Sequence, residues 1–260
     1  MSHDEAPAGF VPFTVGRARA VCAVHVADAV REALTAGTLY DYARRHPKAR
    51  TLRGRSDVYA VPLPGDVEQV VVRHNTHGGF FASITRDLFR PPTRAPRELM
   101  LSERLHDYGV ATPRMLGYVI YRAPLGFVRA DVMTREVPIS FDFSAAIMSP
   151  DVDFRARAIL AVSDLLLTLA AVGAYHADLN VKNILLHANG ASLEAMVLDI
   201  DCVTFDEPKV VFDLNLARLL RSARKWQTLH GATVTDVELA DLAESLRERR
   251  PPPRPLSTSS

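Results

Sequence analysis

Cysteine is almost missing from this chain of 260 residues; only Cys22 and Cys202 occur. Two thiols are too few for a disulfide framework, which points to a reducing compartment. Net charge is also nearly absent, at +1, so the charge total gives no argument for nucleic acid and no nucleic-acid partner is expected. No apolar run approaches the length of a membrane span, and Met1–Pro12 carries acidic residues but no apolar signal-peptide core. The expectation is a soluble, cytoplasmic protein. At 48% hydrophobic, the chain is long enough for a large core, as one two-lobed domain or two small ones.

One stretch organises what is present. In Ala174–Leu186, the residues His176, Asp178, Leu179 and Asn183 spell H-x-D-L-x-x-x-N, the catalytic-loop pattern of protein-kinase-like phosphotransferases. The apolar run Ile159–Ala174 predicts a buried helix before it, and Ile184-Leu185-Leu186 predicts a short buried strand after it. Polar groups pinned between two buried elements are held rigidly. Asp178 is thus the candidate catalytic base for a substrate hydroxyl, and Asn183 a candidate metal ligand. Asn189-Gly190 signals a hairpin turn, and Met196–Ile200 returns as a strand that ends on Asp199. That aspartate stands where a kinase places its D-F-G metal ligand, although Asp199-Ile200-Asp201-Cys202 lacks the glycine. Asn183 and Asp199 supply the oxygen ligands expected of Mg²⁺. Asp201 is either a second metal ligand or the partner of an arginine.

The earlier chain offers partners for this loop. Met1–Gly9 is small, polar and expected to be disordered. Ala27–His46 has apolar residues at helical spacing broken at Gly37, which predicts one or two packing helices. A hairpin is expected over 51–73, with Gly54 and Ser56 at a bend that is either a phosphate-facing lid or a plain turn. Val70-Val71-Val72-Arg73 ends on a cation suited to nucleotide phosphates, and Glu98, on a helix begun by Pro96, is its candidate partner. The alternative for these two is a surface arginine and a solvated glutamate. Residues 74–94 mix aromatics, arginines, Gly-Gly and Pro-Pro, and either pack as a loop, rest on an anionic membrane surface or hold an anionic sugar. His74, His77 and His176 have no spacing of a closed zinc site, and His176 is expected to brace the loop. Cys202 has no evident base and reads as a small buried thiol. Glu238–Arg250 reads as an amphipathic helix and Pro251–Ser260 as a disordered tail.

Together these stretches resemble the lipopolysaccharide kinase family, which includes Kdo kinases and heptose kinases. The similar segments are Val71-Val72-Arg73-His74 with Gly78-Gly79, Arg97-Glu98-Leu99, Gly109–Pro113, Ala130–Pro138, Tyr175–Leu186, Leu198–Asp201 and Asn215–Ser222. The resemblance implies an α+β, protein-kinase-like two-lobed fold: a small antiparallel N-lobe sheet with one helix and a larger, mainly helical C-lobe. On it, residues 1–48 are a tail and helices, 49–137 the N-lobe and linker, 138–250 the C-lobe and 251–260 a tail. It implies ATP and Mg²⁺, with backbone groups of Thr134, Arg135, Glu136 and Val137 holding adenine. It also implies phosphorylation of a Kdo or heptose hydroxyl on a lipid-linked acceptor, by a protein resting peripherally on the cytoplasmic face of the inner membrane. Arg221 and Arg224 fall on a helix over 210–229 whose basic face is either plain surface or an anion contact. Two other readings stay open: a kinase for another small-molecule or protein acceptor, and a non-catalytic pseudokinase scaffold.

Overall fold

A computed structural model describes residues 6–52, 57–76, 87–190 and 192–249. Gly54 and Ser56, expected at the phosphate-facing bend, lie outside the described residues, as do His77 and the Gly78-Gly79 pair. The chain is a mixed α/β fold with antiparallel sheets. It divides into two compact units, one of residues up to Glu103 with Pro113–Glu136, the other of Arg104–Thr112 with the residues from Val137 onward.

The first unit is built on one seven-stranded antiparallel sheet. Its strands are β1 (Phe10–Val15), β2 (Ala18–Ala23), β3 (Arg50–Leu52), β4 (Val58–Pro62), β5 (Gln69–His74), β6 (Met115–Arg122) and β7 (Val128–Arg135), in the order β1-β2-β6-β7-β5-β4-β3. Side chains alternate between the two faces of each strand. On one face Val70, Val72 and Met133 are buried with Val30, Leu39 and Ala43 of helices α1 (Ala27–Ala33) and α2 (Leu39–Arg45). On the other, Ala130, Val132, Met115 and Tyr118 pack against Ala95 and Leu99 of α3 (Ala95–Asp107). Met115 and Tyr118 share a face, although three residues apart, because the ladder slips between Met115 and Gly117. A Cβ at Gly117 would lie 2.5 Å from Val21 O on β2, so only glycine permits that approach.

The expectation of one helix beside this sheet needs correction. α1 and α2 join α3 there, because their apolar stripes have the valine-rich face of β5 to cover. The hairpin β1–β2, which carries no element in the sequence reading, adds the strands at one edge of the sheet.

In the second unit β8 (Ser140–Asp142), β10 (Ile184–Asn189) and β11 (Ser192–Val197) form a sheet in the order β11-β10-β8, while β9 (Ala174–His176) pairs with β12 (Val203–Phe205). The β10–β11 hairpin pairs Asn189 with Ser192 at its tip, where the Asn-Gly signal places the turn. Among the described residues four α-helices accompany these strands: α4 (Phe143–Ile147), α5 (Val152–Ala171), α6 (Pro208–His230) and α7 (Asp236–Glu248). Asp151 caps α5 by accepting from Phe154 N–H at 3.0 Å. Ala158, Val162, Leu165, Leu166 and Leu169 are buried at helical spacing, and α5 packs on β11 and α6. α7 starts with a capping box between Thr235 and Glu238. Glu238 also accepts from buried Arg155 Nε at 3.0 Å, which ties α7 to α5. Gly173 (φ 68°) turns the chain out of α5 into β9; a Cβ there would lie 2.2 Å from Asp206 O.

Candidate active site

The loop between β9 and β10 is locked by its own polar groups. Asn183, buried at the head of β10, donates from Nδ2 to the Asp178 carbonyl at 2.8 Å and to Asp178 Oδ2 at 3.3 Å. Asn180 closes the same turn, donating to Asp178 O at 2.9 Å and accepting from Lys182 N–H at 2.9 Å. Asp178 itself is exposed, and its Oδ1 has no partner among the described residues. A carboxylate fixed on one oxygen and open on the other is suited to accept a proton from a bound hydroxyl.

His176 holds this loop to the strand end that carries Asp199. Its ring is fully buried, with Nε2 2.8 Å from Leu198 O and Nδ1 3.2 Å from the amide nitrogen of Asp178. Burial holds its pKa below the ordinary 6.5, so the ring is neutral, donating from Nε2 and accepting at Nδ1. This is the bracing role that the sequence assigns to it. Cys202 is half-buried, 3.4 Å from His176 Nδ1 and 3.3 Å from Asp199 O, and burial pushes its thiol pKa up, as befits a structural thiol.

Asp199 lies two residues beyond β11 in the left-handed region (φ 50°, ψ 48°), which aspartate tolerates better than most side chains. Its carboxylate and the Asn183 Oδ1 have no protein partner among the described residues. Two unengaged oxygen-bearing groups of this kind, one of them anionic, fit a hard divalent cation such as Mg²⁺.

One face of α6 supports the loop from behind. Asn215 accepts from His176 N–H at 3.1 Å and donates to Ala174 O at 3.0 Å; Ser222 Oγ accepts from Val181 N–H at 3.2 Å. Arg218 Nε donates to Tyr175 OH at 2.8 Å, and Lys182 Nζ lies 5.2 Å from the Trp226 ring centre. Sequence reasoning missed Asn215 and Ser222 as loop supports. Their signal was the polar spacing 215, 218, 222, which puts all three on one stripe of a helix otherwise rich in leucine.

In the first unit Arg73 Nη2 is paired with Glu98 Oε1, with the Glu98 side chain only 7% exposed. The predicted strand cation and helix glutamate are therefore brought together. Next to Arg73, on the opposite face, His74 Nδ1 lies 2.5 Å from fully buried Asp131 Oδ1 and its Nε2 3.3 Å from Asp87 Oδ2. Asp131 Oδ2 accepts from Tyr40 N–H and Tyr121 O–H, each at 2.9 Å, which docks the start of α2 on the sheet. Burial opposes charge on His74, but the hydrogen bonds and charges of Asp131 and Asp87 outweigh it and hold the pKa above 6.5. This cluster also escaped sequence reasoning, because its members lie far apart in the chain.

Thr134 and Arg135 close β7. Arg135 N–H donates to Arg114 O at 2.8 Å and Glu136 N–H to Gln69 O at 2.9 Å. The Val137 carbonyl accepts from Ser140 Oγ at 2.8 Å. Among the described residues, the Glu136 carbonyl and the Val137 N–H have no partner.

The second unit thus carries the loop and strand-end aspartate, and the first unit the cation–glutamate pair, that kinase-type phosphotransferases use. The profile of the lipopolysaccharide kinase (Kdo/WaaP) family matches residues 50–242, and the chain belongs to that family. It is 28% identical over 161 residues to a 3-deoxy-D-manno-octulosonic acid kinase of Pasteurella multocida, covering 59% of this chain and 65% of that protein. A kinase of the same description from Actinobacillus succinogenes is 29% identical over 175 residues, covering 66% of this chain and 72% of that one. The chain thus spans about two thirds of the length of these relatives. A solved structure of WaaP in complex with acyl carrier protein aligns with TM-score 0.46 and 15% identity, over 84% of this chain and 95% of that one. Among the described residues no helix is long and apolar enough to cross a membrane.

Proposed function

We propose that this protein transfers the γ-phosphoryl group of ATP to a hydroxyl of a lipopolysaccharide inner-core sugar, with Kdo as the acceptor and heptose as the alternative. The observation that carries the reading is the Asn183–Asp178 hydrogen-bond pair, which fixes one carboxylate oxygen and leaves the other open. The two compact units are then the two lobes of a protein-kinase-like fold.

Asp178 aligns the acceptor hydroxyl and takes its proton as the oxygen attacks phosphorus. Asn183 and Asp199 would hold Mg²⁺, which would supply neutralisation of the phosphate charge. Arg73, kept in place by Glu98, contacts the nucleotide phosphates through its planar, permanently charged fork. Adenine hydrogen-bonds the Glu136 carbonyl and the Val137 N–H, because the N–H groups of Arg135 and Glu136 already donate elsewhere. Since the acceptor is lipid-linked, the protein works peripherally on the cytoplasmic face of the inner membrane.

The test is transfer of label from γ-labelled ATP, with Mg²⁺, to a Kdo-bearing lipid A precursor or to a heptose-bearing core. Label on the Kdo acceptor supports the reading, and label on the heptose acceptor moves the substrate to the alternative. Label on neither overturns both.

A further inference from the structure

From the face of α6 that supports the catalytic loop, we infer an acceptor subsite for the anionic group of the sugar, made by Lys182 with Trp226 and flanked by Arg221 and Lys225. The inference rests on the functional reading above and adds a recognition site to it.

Lys182 belongs to the catalytic loop itself, one residue before Asn183. Its ammonium lies 2.9 Å from Asp142 Oδ2 and 5.2 Å from the centre of the Trp226 ring, and its side chain is 53% exposed. An exposed ion pair of this kind is a weak tie. Moreover, Asp142 has a second task, since its Oδ1 caps α4 through Ala145 N–H at 3.1 Å. The cation can therefore be shared with a ligand at little cost. Trp226 is the chain's single tryptophan and is half-buried, one turn beyond Ser222, the residue that grips Val181 N–H beside Lys182. It lies against exposed His230, with ring centroids 4.3 Å apart and the planes tilted by 39°. An aromatic ring with a polar rim offers an apolar surface for the C–H face of a sugar while its edge stays wet.

Charge supports the same assignment. Leu214–His230 contains four arginine or lysine residues and no aspartate or glutamate, in a chain whose net charge is only +1. Among the described residues Arg221, Arg224 and Lys225 have no ion-pair partner. A cation on the loop that carries the proton-accepting carboxylate, an aromatic ring close to that cation and an uncompensated positive field suit a sugar bearing a carboxylate or a phosphate.

The probe is a water-soluble, deacylated Kdo-bearing lipid A backbone, which removes any membrane contribution. In Lys182→Gln the KM for this acceptor should rise about tenfold, the effect of one lost charge-assisted hydrogen bond, with the KM for ATP unchanged. Lys182→Arg should restore most of the loss. The intrinsic fluorescence of Trp226 should shift on titration with the acceptor, giving a readout independent of turnover. Methyl esterification of the Kdo carboxylate and enzymatic removal of the backbone phosphates separate the two anion sources. The modification that raises the wild-type KM, and makes it insensitive to Lys182→Gln, identifies the group bound. If wild-type protein transfers phosphate but Lys182→Gln keeps its acceptor KM, or if the KM values for ATP and acceptor rise together, this inference is wrong and the functional reading stands. If the variants lose only binding to anionic vesicles, the basic face belongs to a membrane contact and the subsite is refuted. No transfer by the wild-type protein removes the functional reading and the subsite with it.

Discussion

Asn183 reaches back across the loop to Asp178, donating to its carbonyl at 2.8 Å and to its carboxylate at 3.3 Å. A residue read as a metal ligand therefore also sets the position of the candidate base. Truncating it removes both functions while leaving the surrounding strands intact. Asn183→Ala should lower phosphate transfer by about a hundredfold, the scale of a small misplacement of a reacting group, with circular dichroism unchanged. Transfer within a few-fold of wild type would show that the pair does not position Asp178.

Arg73 and Glu98 form a pair in which the carboxylate is 7% exposed and the guanidinium 26%. Arg73→Ala leaves Glu98 buried without this partner, and we expect a loss of about 2 kcal/mol, or about 4–8 °C in thermal unfolding for a chain of this size. It should also weaken ATP binding. Arg73→Lys keeps the charge but loses the fork, and should recover stability more fully than nucleotide affinity.

His74 gives the first unit a pH dependence of definite sign. Its folded-state pKa lies above 6.5 because of Asp131 and Asp87, so the stability it contributes is complete below about 6.5 and is lost as pH rises through the raised value. Asp87 is also engaged by Arg129 Nε at 2.5 Å, and Asp131 by Tyr40 and Tyr121, so both carboxylates keep partners when His74 is neutral. Denaturant midpoints measured across this range should fall with rising pH in wild type, and His74→Phe should flatten that part of the profile. A wild-type midpoint that rose with pH over the same range would contradict the assignment.

Gly173 sits at φ 68° with Asp206 O 2.2 Å from where a Cβ would be. Gly173→Ala combines a left-handed backbone with a backbone clash and should cost about 2–4 kcal/mol. Because β9 follows at once, transfer should fall together with stability. The control is Gly190→Ala at the hairpin tip, where nothing lies within 4 Å of an added Cβ; it should cost about 1 kcal/mol, from its positive φ.

The parts of this protein that could be read in the sequence are those whose partners are close in the chain. The helix–loop–hairpin from α5 to β11 is one continuous segment, and its apolar periodicity, its Asn-Gly turn and the spacing of Asp178, Asn183 and Asp199 are all local signals. The Arg73–Glu98 pair was legible only by way of a known pattern, since 25 residues separate its members. The grip of Asn215 and Ser222 on the loop and the meeting of His74 with Asp131 were not legible, because those contacts span 39 to 57 residues and each residue alone resembles ordinary helix or strand surface. The β1–β2 hairpin escaped for a different reason. Its only marker is Gly16 within a two-residue connection, and Phe10–Val15 contains Pro12, which argues against a strand unless it lies at an edge. The sheet order places β1 at an edge.

In the proposed reaction Asp178 serves a bound sugar hydroxyl as phosphate leaves ATP. This role is tested most directly by the rate of ADP release with Mg²⁺, in the presence and absence of a Kdo-bearing lipid A precursor, for wild type and Asp178→Ala. Turnover should depend on the acceptor in wild type and fall by about 10²–10⁴-fold in the variant, while ATP binding is retained. Acceptor-dependent turnover that survives in Asp178→Ala would contradict that role, and wild-type protein that neither binds nor turns over ATP would make the chain a pseudokinase.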